Sequence, residues 1–215
     1  MKRYKTYVFD FDYTLVDSSR GIVTCFRHVL DRHGYADVTE MAIKRTIGKT
    51  LEQSFSILTG IDDMETLAAY KREYVKEADT HMTVNTFLFP ETVEVLRALK
   101  AGGASLGIVS TKFRYRILDL LEQRGQTGLV DFIVGGEDVQ VPKPAPEGLL
   151  AAIARSGHAK QDTLYIGDSV VDAETAQAAG VDFAGVLHGT TTRAELAAYP
   201  HVGIMDDLRG LLRED

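Results

Sequence analysis

The chain has one cysteine, Cys25, among its 215 residues. This excludes a disulfide framework and a thiolate metal site, and it fits a reducing cytoplasm. Long hydrophobic runs are missing too. No segment approaches the roughly 20 apolar residues that a membrane span needs. The apolar run after the basic start "MKRYK" is too short for a secretion signal, and it ends in acid. Positive charge is scarce: 24 Lys and Arg stand against 31 Asp and Glu, a formal net charge of −7. That balance argues against a nucleic-acid binder, which usually carries a basic face. It leaves an anionic substrate open, because a bound cation and a few local lysines decide that matter at short range. Repeats and low-complexity tracts are absent as well. The expectation is a cytoplasmic protein, monomer or homodimer, that acts on a small molecule and has neither nucleic acid nor membrane as partner.

What is present is ordinary for a globular protein: 45% hydrophobic and 26% charged residues. The length suffices for one domain with a smaller attachment. After the first strand, around Val8 and Phe9, the chain falls into two patterns. From about Asn85 onward, "ASLGIVS" (104–110), "VDFIVGG" (130–136), "TLYIGD" (163–168) and "VDFAGVL" (181–187) read as strands. Between them, segments 90–103, 113–125, 146–157 and 170–180 repeat apolar residues at helical spacing and end in Gly. This alternation predicts an α/β fold, a doubly wound parallel sheet with helices on both faces. Residues 16–84 break the rhythm with four helical stretches and no strand. They predict an all-helical cap domain (16–84) inserted into a core formed by 1–15 and 85–215.

In open parallel sheets, ligands bind beyond the carboxyl ends of the strands. Here those ends carry Asp10 and Asp12, then Ser110, Thr111 and Lys112, then Lys143 in "VPKP", then Asp168 and Asp172 in "GDSVVD". If a helix begins after Asp168, the four-residue step turns Asp172 back toward the same point. Taken singly, each group has a plainer reading: an acid, Ser or Thr at a strand end often caps the next helix, and a lysine between prolines is usually a surface residue. Their succession in one order is what points to a site. Converging carboxylates repel unless a hard cation such as Mg²⁺ offsets them. Lys143 and Ser110 suit an anionic ligand with several oxygens, such as a phosphoryl group. Arg45, Lys49, Lys112 and Arg114 are weaker candidates for steering such a substrate, since exposed basic residues mostly cover solvated faces. His188 follows the last strand near the mouth, where a histidine without a role is the plainer reading. The other histidines show no metal-ligand spacing along the sequence.

These residues resemble the haloacid dehalogenase superfamily, in particular its phosphoglycolate-phosphatase-like members. "DFDYTLVDS" is similar to the family's nucleophile motif, "VSTK" to its second, "VPKPAPEGLL" to its third and "YIGDSVVD" to its fourth, in the family's order and over essentially the whole chain. "TIGKTLEQSF" (46–55), with Gly48 and Lys49, looks like the substrate-facing loop of the cap. The resemblance implies that Asp10 attacks phosphorus to form an aspartyl-phosphate, and that Asp12 serves as general acid and then base. It implies Mg²⁺ held by Asp10, the Asp12 backbone carbonyl and Asp168, with Asp172 behind them or binding through water. Ser110, Thr111 and Lys143 would hold the phosphoryl group, and Thr14 would orient the Asp12 loop. Tyr13 departs from the pattern, because many relatives have Gly there, and its ring would bear on substrate identity. The implied activity is a Mg²⁺-dependent phosphatase of a small phosphorylated metabolite, phosphoglycolate first and pyrophosphate second. A β-phosphoglucomutase-type mutase shares all four motifs, but Thr14 leans toward phosphatase because such mutases usually have Val there. A non-catalytic phospho-receiver is the rival from another class. An acid on the first strand and an inserted cap count against it.

Overall fold

The computed structural model describes residues 2–213; Met1 and residues 214–215, at the extreme ends of the expected core segments, lie outside the described residues. In chain order, β1 (Thr6–Phe9) and β2 (Val16–Asp17) precede helices α1 (Ser19–Arg32), α2 (Glu40–Lys44), α3 (Leu51–Thr59) and α4 (Met64–His81). Then come β3 (Phe87–Leu88), α5 (Thr92–Ala101), β4 (Ser105–Val109), α6 (Arg114–Gln123) and β5 (Phe132–Val134). The chain closes with α7 (Glu147–Ser156), β6 (Thr163–Gly167), α8 (Val170–Ala179), β7 (Asp182–Val186), α9 (Arg193–Ala197) and β8 (Gly203–Met205).

Six strands form one parallel sheet in the order β5-β4-β1-β6-β7-β8. The alternation of short apolar strands with amphipathic helices dictates this arrangement, because each strand must be covered on both faces. Side chains alternate accordingly. Tyr7, Phe9, Leu164 and Ile166 pack into a core on one side of the sheet, and Val8 and Tyr165 into a core on the other. From β1 the sheet grows first through β4 to β5 and later through β6 to β8, so the strand order reverses beside β1. The crevice beyond the carboxyl ends at such a reversal is the favoured place for a ligand.

Helices α1 to α4 carry a core of their own, built around Phe26, Phe55, Tyr70 and Tyr74. The ring of Phe26 lies 4.8 Å from those of both Phe55 and Tyr74. The expectation that residues 16–84 hold no strand needs correction. Val16–Asp17 pairs antiparallel with Phe87–Leu88, so the two chain crossings run side by side. Two-residue strands carry no readable alternation, which is why the pattern missed them. Short β8 and α9 escaped for the same reason. Thr92 Oγ1 donates to the Leu15 carbonyl at 2.8 Å and fastens the crossings to α5. No helix among the described residues is long and apolar enough to cross a membrane.

Candidate active site

Strand β1 ends at Phe9, opposite Ile108 of β4 and Ile166 of β6. Asp10, Ser110 and Asp168 therefore leave neighbouring strands just past their ends. The Asp10 amide extends the ladder by one bond to the Ile166 carbonyl, at 2.8 Å. The chain then folds back sharply. The amides of Thr14, Leu15 and Val16 all point at the Phe11 carbonyl, at 3.3, 2.9 and 3.2 Å. Tyr13, inside this turn, has φ of 60°. That left-handed conformation is costly for a bulky residue and free for Gly, which accounts for the Gly expected there in relatives. Its ring is buried, and burial pushes its hydroxyl up to about 12.

Lys143 is the hub of the site. Its Nζ lies 2.8 Å from Asp10 Oδ1, 2.6 Å from Asp172 Oδ1 and 3.2 Å from the Tyr165 hydroxyl. The Lys143 side chain is 4% exposed and Asp10 and Asp172 are 2% and 0%, so the pairs are deeply desolvated. Asp172 is saturated. Besides Lys143 it accepts from Tyr165 at 2.9 Å, and its Oδ2 accepts from Ser169 Oγ at 2.6 Å and the Ser169 amide at 3.1 Å. Ser169 in turn caps α8 by accepting from the Asp172 amide. Gly167 permits this closeness, since a Cβ there would lie 2.4 Å from the Asp172 side chain. Asp168 receives Thr14 Oγ1 at 3.2 Å.

Oxygens of Asp10, Asp168 and Asp172 lie within 4.8 Å of one another, and all three residues are buried. One lysine does not balance them. Burial raises the Asp10 carboxyl, Lys143 lowers it and Asp172 raises it again, with the outcome at about 7. Burial also raises Asp168 well above the carboxylate range, and Asp172 and Asp10 add to it. For Lys143, burial acts to lower its pKa, but Asp10 and Asp172 outweigh it and hold the ammonium well above its ordinary value. Uncompensated negative charge among oxygen-only donors fits a hard divalent cation such as Mg²⁺.

The Asp12 carboxylate stands outside this group. Lys112 Nζ reaches its two oxygens at 2.9 and 3.0 Å, and Ser18 Oγ donates to it at 2.5 Å. Ser110 is buried, and its Oγ accepts from the Lys112 amide at 3.2 Å. Thr111 Oγ1 reaches up to the Gly48 carbonyl at 3.4 Å, so the 46–49 loop rests on the strand ends. Lys49 lines the space below that loop. Arg45 lies farther out, paired with Glu195 at 3.2 Å, and Arg114 pairs with Asp138. His188 lies outside the acid group; its Nδ1 is 3.2 Å from the Thr14 carbonyl, its Nε2 is 3.0 Å from Glu91, and its ring lies against Phe89.

Sequence reasoning missed Tyr165, Ser18 and the Lys112–Asp12 pair. A tyrosine in the middle of the apolar strand "TLYIG" was the available sign for Tyr165. The other two depend on contacts across 6 and 100 residues of chain. The histidines also need one correction. His28, Glu77 and His81, from α1 and α4, bring ligand-type atoms within 4.8 Å on the outer face of the helical block, where Glu77 is held by His28 at 2.6 Å and by Arg32. Glu77 and His81 stand four residues apart on α4, and only the fold brings His28 of α1 to them.

A parallel sheet whose central strand ends bring Asp10, Lys143 and a buried acid group together places the protein in the α/β class, with its candidate site at the strand-order reversal. The chain belongs to the haloacid dehalogenase-like hydrolase family, which matches residues 7–186. A crystal structure of a haloacid dehalogenase-like hydrolase from Bacteroides fragilis is 57% identical, with a TM-score of 0.96 over 97% of this chain and 100% of that one. Pyrophosphatase PpaX of Bacillus pumilus is 30% identical over 198 residues, 91% of this chain and 88% of that protein. Phosphoglycolate phosphatase of Salmonella choleraesuis is 37% identical over 127 residues, 59% of this chain and 50% of that protein.

Proposed function

We propose that the protein is a Mg²⁺-dependent phosphatase that hydrolyses a small phosphorylated metabolite, a phosphoglycolate-like ester or pyrophosphate, through an aspartyl-phosphate on Asp10. The observation that carries this reading is the division of labour between the two acids of the "DFD" segment. Asp10 shares a buried cluster with Lys143, Asp168 and Asp172, while Asp12 is held apart from it by Lys112 and Ser18. Residues 16–84 serve as the cap over a core made of 1–15 and 85–215. A reducing cytoplasm suits Cys25, whose thiol is buried and pushed up to about 12.

Asp10, the Asp12 backbone carbonyl and Asp168 would hold the cation, with Asp172 behind them. A Mg²⁺ ion bound there supplies charge neutralisation at the phosphoryl oxygens. Lys143 grips one oxygen of Asp10 and leaves Oδ2 without a hydrogen bond among the described residues, available to attack phosphorus. As the Asp10–phosphorus bond forms and the ester bond breaks, Asp12 delivers a proton to the departing oxygen. Water then attacks phosphorus, Asp12 takes its proton, and free phosphate leaves with Asp10 restored. Ser110, Thr111 and the Lys143 ammonium steady the phosphoryl oxygens. Thr14 holds Asp168 and so ties the nucleophile turn to β6. The test is acid quenching during turnover followed by mass spectrometry of the Asp10 peptide. A phosphoryl adduct on Asp10 that appears with substrate and is absent from substrate-free blanks supports the path; turnover with no adduct at any time point contradicts it.

A further inference from the structure

Beneath the cap lies a chamber of about 90 Å³. Lys49, Leu51, Thr111 and Phe113 also line a wider cleft of about 870 Å³ that reaches Lys143. Phe26, Tyr74 and Met82 from the helical block and Phe113 from the core supply much of the chamber's wall. Its charged lining is unbalanced: Asp12 is the one carboxylate, against Lys49, Lys112 and Arg116. Arg116 is committed, with Nη2 donating to Asp79 at 2.6 Å and to the Val75 carbonyl at 3.1 Å. The half-buried Lys49 ammonium has no hydrogen-bond or ion-pair partner among the described residues. An unpaired cation that shares this lining with Lys112 suits an anion there.

We propose that Lys112 reads the charge of the leaving group: it turns from Asp12 to a carboxylate or phosphate that enters this chamber, with Lys49 as the second contact. The proposal rests on the phosphatase reading and adds to it a residue that sets specificity. Lysine suits the exchange, since its ammonium carries three donors on a flexible four-carbon stem. Both partners are within reach of one position, as Lys112 lines the chamber and touches Asp12 at 2.9 Å. Asp12 keeps the Ser18 hydroxyl when Lys112 leaves. The preferred substrates are then esters or anhydrides whose leaving group carries its own negative charge a few atoms from the bond that breaks. Neutral leaving groups offer Lys112 and Lys49 no charge to meet.

The experiment compares three substrates: the phosphate ester of glycolate, the same ester with its carboxylate capped as the amide, and pyrophosphate. The wild type is expected to favour a charged substrate over the amide at least tenfold in kcat/KM. Lys112→Met is expected to bring that ratio close to one, with the loss on the charged substrate appearing in KM, and Lys112→Arg to keep part of it. Lys49→Met, which touches no part of Asp12, is expected to reduce the same ratio and supplies the answer if Lys112→Met does not fold. Which charged substrate loses more identifies carboxylate or phosphate as the anion. If Lys112→Met slows charged and amide esters by the same factor, Lys112 is only an anchor for Asp12 and the proposal fails while the phosphatase reading stands. If the wild type prefers the amide, the proposal likewise fails. Release from none of the three by a folded wild type overturns the phosphatase reading, and the proposal with it.

Discussion

At the scale of single residues, the site is held in electrostatic tension. Asp10 has an ordinary carboxyl value of 3.8, which burial first and its acidic neighbours next raise to about 7 despite Lys143. Between those values the folded chain keeps a proton that the unfolded chain has released. Its contribution to stability is therefore full at the acid end and is lost as pH rises through 7. Asp168 is shifted in the same direction. Chelated protein should accordingly melt at a lower temperature at pH 8 than at pH 5, and Mg²⁺ should recover more stability at pH 8. A scanning-calorimetry series in EDTA and in Mg²⁺ checks this, and a chelated protein that grows more stable toward pH 8 would contradict it. Lys143 gives the complementary test. Lys143→Met leaves Asp10 and Asp172 buried without their cation, and breaking a buried pair from one side costs about 3–5 kcal/mol. Urea denaturation of the metal-free variant at neutral pH should show a loss of that order.

At the scale of elements, α8 does two jobs through one residue. Ser169 caps the helix and grips Asp172 Oδ2 at 2.6 Å. Ser169→Ala should cost about 1 kcal/mol as a lost cap and lower kcat, since Asp172 then holds Lys143 less firmly. Thermal melts and initial rates on the same preparation check both. The site parts that sit on one element were legible in the sequence: Asp168 at a strand end with Asp172 four residues on, and Asp10 after an apolar strand. The core strands and helices were legible too, because each is long enough to show its period. What stayed hidden lies between elements or is too short for a pattern. The β2–β3 pair has two residues a side, and the Lys112–Asp12 bond joins β4's end to the turn after β1 across 100 residues. Arg45 was legible as a basic residue of the helical block, but its partner Glu195 on α9 was not.

At the scale of the whole molecule, the cores on the two faces of the sheet and a third in the helical block are linked by paired crossings. The sheet's cores gather Phe9, Leu106, Ile108 and Tyr165, and the helical block gathers Phe26, Phe55, Tyr70 and Tyr74. Phe55 is fully buried in the latter. Phe55→Ala should cost about 3–5 kcal/mol there. If the cap is a separate unit, hydrogen exchange in this variant should accelerate across α1, α3 and α4 and stay slow in β1 and β6. Uniform acceleration would mean that the two parts fold as one.

The central claim is that Asp10, aided by a divalent cation, breaks a phosphate ester. The measurement that tests it most directly is phosphate release from a panel of small phosphate esters and pyrophosphate, run with Mg²⁺, with EDTA and with Asp10→Asn. The account predicts release in Mg²⁺, its loss in EDTA, and a fall of about 10³-fold or more in the variant, as expected when a covalent nucleophile is removed. Release that persists in both EDTA and Asp10→Asn would contradict it.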